Sequence, residues 1–158
     1  MGFMTKTLLL LALALATPPA AQHQHPTSHG RANQGMGFDQ QKTTHHFLLQ
    51  KTGGTIEVTA KDAGDKASAD QIRMHLRHIA SAFAAGDFSL PMFIHDTTPP
   101  GVDVMKARRE QMTVRYEDVG QGGKVVIQTA DPAARDAVYE FLRFQIREHK
   151  TGDPLAPR

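Results

Sequence analysis

The histidines are the residues of this chain that are most able to take part in chemistry. The 158 residues include nine histidines and no cysteine. Six of the histidines stand in close pairs, which are His23/His25, His45/His46 and His75/His78. Neutral imidazole binds Cu(II) and Zn(II) near neutral pH, and no thiolate competes for such an ion here. The composition therefore predicts a nitrogen-rich transition-metal site.

The two inner pairs offer donors from two different elements. His75 and His78 are three residues apart in a predicted helix, so they share a face and can reach one ion. His45 and His46 are neighbours in a predicted strand, so their side chains point to opposite faces. Only one of that pair can join a given site.

A loop histidine and a methionine complete the predicted folded site. His95 closes the segment PMFIH, and Met92 in the same segment adds a thioether. Because thioether sulfur is a soft ligand, Met92 would favour copper, whereas imidazoles alone also suit Zn(II). We expect Cu(II) first and Zn(II) second at this site.

A structural interpretation of these histidines is also open. In a gapless alignment of two internal repeats, His75 falls opposite Phe141, and His149 falls opposite Phe83. An imidazole packed against a phenyl ring needs no ligand. On this basis we expect His149 to be a structural residue.

The N-terminal arm provides a separate candidate, His23. Cleavage of the chain after Ala20 would make His23 the third residue. A free amine, two backbone amides and that imidazole then form a square-planar nitrogen set for Cu(II) or Ni(II). Cleavage after Ala21 leaves a looser site, and cleavage after Ala16 leaves none.

The first 21 residues have the pattern of a secretory signal peptide. Lys6 precedes an apolar run over 8–16, and small residues follow. That run is too short to span a bilayer, although an uncleaved membrane anchor is the alternative. We expect a periplasmic or secreted protein that is free of the membrane after cleavage.

Charge and motifs exclude several functions. The chain has 18 Lys and Arg against 16 Asp and Glu, and the excess falls further once Lys6 is removed. So balanced a surface gives no electrostatic reason to bind nucleic acid. Neither a nucleophile elbow nor a phosphate-binding loop is present, so the sequence leans against an enzyme.

The fold class follows from a repeat. GGTIEVTAKD aligns with GGKVVIQTAD, and IRMHLRHIASAFAAGD aligns without a gap with VYEFLRFQIREHKTGD. Alternating strands joined by glycine-containing turns and followed by an amphipathic helix make each unit ββα. We predict an α+β domain in which two such units form a four-stranded antiparallel sheet with both helices on one face. Its parts are a polar, flexible, His-rich arm (22–42), a single domain (43–153) made of units 43–87 and 112–153 and joined by loop 88–111, and a tail (154–158).

Helix ends are predicted from capping residues. The first helix should run over about 69–85, with Ser68 as N-cap and Gly86 as the stop. The second should begin at Asp131–Pro132, run to about His149 and stop at Gly152.

The segments TTHHF, FAAGDF, PMFIH with the following PPG, and FLRFQIREHKTGD resemble a group of short exported bacterial proteins. The resemblance covers about residues 36–153. That group has no established activity, so the resemblance assigns no functional residue.

Three functions remain open from the sequence. The first is an exported metal-binding protein that buffers, carries or senses copper or zinc. The second is a periplasmic interaction or homodimerisation module without metal, using the open sheet face or a Phe141/Phe144 stripe. The third is a small-ligand protein with a pocket under loop 88–111, anchored by His95 and His75.

Overall fold

The structure, a computed structural model, describes residues 28–158. The predicted signal peptide, the first part of the arm and His23 lie outside the described residues. In chain order the elements are α1 (Ser28–Met36), β1 (Thr43–Gln50), β2 (Gly53–Ala60), α2 (Lys66–Ala84), α3 (Ser89–His95), α4 (Val102–Ala107), β3 (Met112–Val119), β4 (Gly122–Thr129) and α5 (Pro132–His149), with 3₁₀ turns at Gln40–Lys42 and Arg109–Gln111. Within 28–158, no helix combines the length and apolarity that crossing a membrane requires.

The four strands form one antiparallel sheet in the order β1-β2-β4-β3. The α+β fold predicted from the repeat is confirmed. Ile56 and Val125 occupy equivalent repeat positions and face each other across β2 and β4. The two units therefore meet about an approximate two-fold axis at the centre of the sheet.

The repeated glycines serve strand packing more than turns. We expected them to form the hairpin turns, yet Gly53 and Gly122 each begin a strand. A Cβ on Gly53 would lie 2.1 Å from the carbonyl oxygen of Ile127, and one on Gly122 would lie 2.0 Å from that of Val58. Only glycine allows β2 and β4 to approach this closely. Glycine therefore occupies the equivalent position in both repeats.

Both long helices contribute to a single core. The predicted α2 stripe of Ile72, Leu76, Ile79 and Phe83 is buried there, as is Phe141 of α5. α2 packs mainly on β3 and β4, while α5 packs mainly on β1 and β2. Each unit's helix thus covers mostly the other unit's hairpin, so the two units depend on each other. That both helices lie on one sheet face stays a prediction.

The long helices are capped at both ends. α2 begins three residues earlier than expected because Asp65 is its N-cap, accepting from the Ser68 amide (3.0 Å) and hydroxyl (2.7 Å). Its end at Gly86 (φ +79°) is confirmed, with the Gly86 amide bonded to the Phe83 carbonyl at 3.0 Å. The predicted start of α5 is confirmed too, since Asp131 accepts from the Ala134 amide at 2.7 Å.

The C-terminal stop differs from the prediction. α5 ends at His149 because Lys150 adopts a left-handed conformation (φ +52°), two residues before Gly152. A left-handed residue after the last turn ends a helix wherever it falls, although glycine is the usual choice.

Helices also form in segments where we expected none. α1 lies within the predicted flexible arm, and α3 occupies the start of the predicted loop. The two helices pack on each other at Gly35, where a Cβ would lie 3.1 Å from the side chains of Ile94 and Leu90. Tertiary contact therefore stabilises two short helices that have little intrinsic helical signal.

The C-terminal segment covers the open edge of β1. Asp153 accepts from the Phe47 amide at 2.9 Å, and the Arg158 amide donates to the Leu49 carbonyl at 3.1 Å. Unpaired edge groups invite pairing with other chains. Residues 154–158, which we expected to be a tail outside the domain, help to satisfy this edge.

Candidate functional site

Four histidines from four elements line one small cavity, which we name the histidine cavity. His45 comes from β1, His75 from α2, His95 from the end of α3 and His149 from the end of α5. The cavity has a volume of about 60 Å³. The rest of its wall is mainly apolar and includes Met36, Phe38, Leu90, Ile94 and Phe141.

His149 lies at the centre of this group. Its ring stacks on that of His45, with centroids 5.4 Å apart and planes 25° apart. The ring of His95 meets it edge-on, with centroids 5.6 Å apart. His75 lies to one side, against the edge of Phe38 at 5.5 Å. His149 is therefore a direct neighbour of two other imidazoles, and the fourth, His75, lines the same cavity.

Burial keeps these imidazoles neutral. Desolvation, helped by repulsion from neighbouring histidines, lowers the pKa of His45 and of His75 to about 4. The same causes lower the pKa of His149 to about 3. Burial also lowers the pKa of His95, although its bond to Gln145 and the charge of Glu148 oppose the shift. Near pH 7 each of the four rings keeps a lone pair free for a ligand.

The hydrogen bonds show which nitrogens are free. His95 Nε2 lies 3.0 Å from the Gln145 side-chain oxygen. Because that oxygen only accepts, Nε2 carries the proton and Nδ1 keeps the lone pair. His45 Nε2 is buried and has no hydrogen-bond partner within the described part of the chain. A buried polar atom without a partner is costly and marks a place where a ligand would be stabilised.

Three predicted ligands do not reach the cavity. His78 is exposed on α2. His46 points away from His45, its side chain is 45% exposed, and its Nδ1 lies 2.9 Å from Asp153 Oδ1. The Met92 sulfur lies 3.9 Å from Lys106 Nζ and is not part of the cavity wall.

The side chains as they stand do not form a finished metal site. No group of three or more His, Asp or Glu residues in the range 28–158 is placed to hold an ion. The stacking of His45 on His149 accounts for this, because stacked rings direct their nitrogens sideways and not at a common point. Ion binding at the cavity requires the rings to turn.

His149 is the residue that the sequence interpretation missed. We expected it to be structural because it occupies the slot of Phe83 in the repeat. The same alignment also indicated a functional role, because an imidazole at a core position is desolvated and therefore stays neutral and able to bind a ligand. The structure makes His149 the link between His45 and His95.

A second, more open pocket lies on the other side of His45 and His149. We name it the polar pocket; its volume is about 360 Å³. The two histidines belong to the walls of both pockets. The polar pocket is otherwise lined by Gln40, Gln41, Thr43, Thr44, His46, Lys61 and Thr151.

Comparisons with known proteins add no assignment. No protein-family model matches the chain. Searches among curated proteins and among solved structures likewise found no significant match.

Proposed function

We propose that this protein binds a transition-metal ion at the histidine cavity, with Cu(II) preferred over Zn(II), and that it buffers, carries or senses that ion. The observation that carries the proposal is the clustering of His45, His95 and His149. These three residues are far apart in sequence, yet they line one cavity, and the ring of His149 contacts the rings of both others. His75 is the fourth candidate ligand.

The spacing of the rings supports a shared ion. With metal–nitrogen bonds of about 2.0 Å, two imidazole centres bound to one ion lie about 4.5 Å apart at the right angle usual for Cu(II) and about 5.2 Å apart at the tetrahedral angle usual for Zn(II). The centroids of His149 and its two neighbours are 5.4 and 5.6 Å apart. Ring rotation with small shifts, without movement of α5 or β1, would direct three nitrogens at one point.

Cavity size and donor type also favour an ion. A volume of about 60 Å³ has room for an ion with a few waters, since one water needs about 10–15 Å³ of such cavity volume. For the same nitrogen donors, Cu(II) binds more tightly than Zn(II). This order now supports the preference for copper, because Met92 does not contribute.

The test is titration of the protein with Cu(II) and with Zn(II), with calorimetry as the measurement of affinity. A His23→Ala/His25→Ala background removes the arm histidines as competing donors. We expect His149→Phe to weaken binding by about a hundredfold or more, since loss of one ligand removes a metal–nitrogen bond. His78→Ala is the matched control, because His78 is exposed on α2, and it should leave the affinity unchanged. Equal affinity in all these variants would contradict the proposal.

A small neutral molecule is the second candidate occupant. The mainly apolar wall favours it. However, pockets for drug-sized ligands have volumes of about 300–1,000 Å³, so a ligand of the histidine cavity could have only a few non-hydrogen atoms. Failure of both metals to bind, together with a higher melting temperature in the presence of a small uncharged compound, would favour this alternative.

The interaction module is tested by sedimentation. A stable dimer that is insensitive to chelator, in a chain that binds no metal, would favour it over a metal-binding role. In that case the sheet surface, and not the histidine cavity, would be the functional part of the domain.

We also infer export, from the pattern of residues 1–21. Cell fractionation, with mass spectrometry of the mature N-terminus, tests this inference. A cytoplasmic protein with an intact N-terminus would contradict it.

A further inference from the structure

The polar pocket has the size and charge of a site for a small anion. Its volume of about 360 Å³ falls within the range of ordinary ligand pockets, which is about 300–1,000 Å³. Lys61 supplies a positive charge, and no carboxylate is among the described residues that line the pocket. An anion inside it would meet one cation and no lining residue of like charge.

Asp153, which contacts the lining residues His46 and Thr151, is already hydrogen-bonded within the protein. Asp153 is only 7% exposed and pairs with His46. It also accepts from the Phe47 amide at 2.9 Å and from the Thr151 hydroxyl at 2.6 Å. Three of its roughly four lone-pair sites are used within the protein, so it competes little for donors in the pocket.

Two groups in the pocket have donor capacity to spare. Gln40 lines the pocket, and its Nε2 is covered and has no hydrogen-bond partner among residues 28–158, so a turn of this side chain would present an unused donor to a ligand. Lys61 Nζ donates to the Gln41 carbonyl at 2.8 Å, which uses one of its three N–H groups. A ligand that fills this pocket must therefore bring acceptors.

We propose that the polar pocket binds a small organic monocarboxylate. Lys61 balances the negative charge, and one carboxylate oxygen accepts from Gln40 Nε2 once that side chain turns toward the ligand. A single cation matches a ligand of charge −1 better than it matches a doubly charged phosphate. The apolar part of the ligand packs against the side chains of His45 and His149, which belong to the pocket wall. This site shares His45 and His149 with the histidine cavity, but its polar contacts, Gln40 and Lys61, lie outside that cavity and need no bound metal.

NMR titration of the metal-free, ¹⁵N-labelled chain tests this proposal, with acetate and butyrate as probes. We expect saturable shifts of the Gln40 side-chain amide and of the Thr43 and Lys61 backbone amides. Lys61→Met should weaken binding by about tenfold, because a hydrogen bond to a charged group is lost. Lys51→Met is the matched control, since Lys51 lies at the opposite end of the β1–β2 hairpin.

Specific results would overturn the proposal. These are the absence of saturable shifts, or equal affinity in the Lys61→Met and Lys51→Met variants. Saturable, Lys61-dependent binding of inorganic phosphate that is tighter than that of either carboxylate would overturn the choice of ligand. Gln40→Leu is the second variant, and its spectrum shows directly whether the fold is kept. It should weaken carboxylate binding without changing Cu(II) affinity, so this site and the metal site are tested separately.

Discussion

Acid should destabilise this protein strongly between pH 7 and pH 5, because three largely buried histidines resist protonation. Burial lowers the pKa of His45 and His75 to about 4 and that of His149 to about 3. In the unfolded chain the same groups titrate near 6.5. Between these values the unfolded state binds more protons than the folded state, so the free energy of unfolding falls as pH falls.

The size of the effect follows from linkage. At pH 5 each of the three histidines lowers the free energy of unfolding by about 2 kcal/mol, and at pH 7 by only about 0.2 kcal/mol. Together they remove about 5 kcal/mol between pH 7 and pH 5, which is comparable to the whole stability of many domains. The pKa values of Asp65, Asp87 and Asp153 are also lowered. Because Asp in the unfolded chain titrates near 3.9, these carboxylates change the free energy of unfolding mainly below pH 5.

Urea denaturation of the metal-free protein at pH 7, 6 and 5 measures this loss. In His149→Phe the loss should be smaller by about 2 kcal/mol, because one titrating group has gone. His78→Ala is the control for an exposed histidine and should keep the slope of the wild type. A loss below about 1 kcal/mol in the wild type, or an unchanged slope in His149→Phe, would refute the reasoning.

Two further predictions concern the frame that holds the site. Asp153→Ala leaves the Phe47 amide without its partner and should cost about 1–3 kcal/mol, seen as a lower melting temperature. Gly101→Ala combines a positive φ (+84°) with a Cβ 2.1 Å from the Ala137 carbonyl oxygen, and it should cost more than about 2 kcal/mol. Gly37→Ala has a positive φ (+71°) and no atom within 4 Å of the new Cβ, so it should cost clearly less. Equal losses in the two glycine variants would contradict the steric argument.

The sheet and the long helices could be predicted because their signals are local. Alternation in β1 to β4, the Asp131–Pro132 start of α5 and the Gly86 stop of α2 each follow from short stretches of sequence. The short helices could not be predicted in this way. α1 and α3 stabilise each other by contact at Gly35, and that contact exists only in the folded chain.

The candidate site was only partly predictable for a related reason. His45, His75 and His95 were expected to converge, and they line one cavity. His46 points away from that cavity, where it meets Asp153 from the far end of the chain. His149 was assigned a structural role because its repeat partner is a phenylalanine. Repeat position indicates burial, but it cannot show which polar side chains share a cavity.

The central claim is that His45, His95 and His149 can share one ion. A crystal structure of the His23→Ala/His25→Ala chain with Cu(II), using anomalous diffraction at the copper edge, tests it most directly. We predict one strong copper peak in the histidine cavity, about 2.0 Å from a nitrogen of each of these three residues. A peak held elsewhere, or a chain that takes up no copper while the rings of His45 and His149 stay stacked, would contradict the claim.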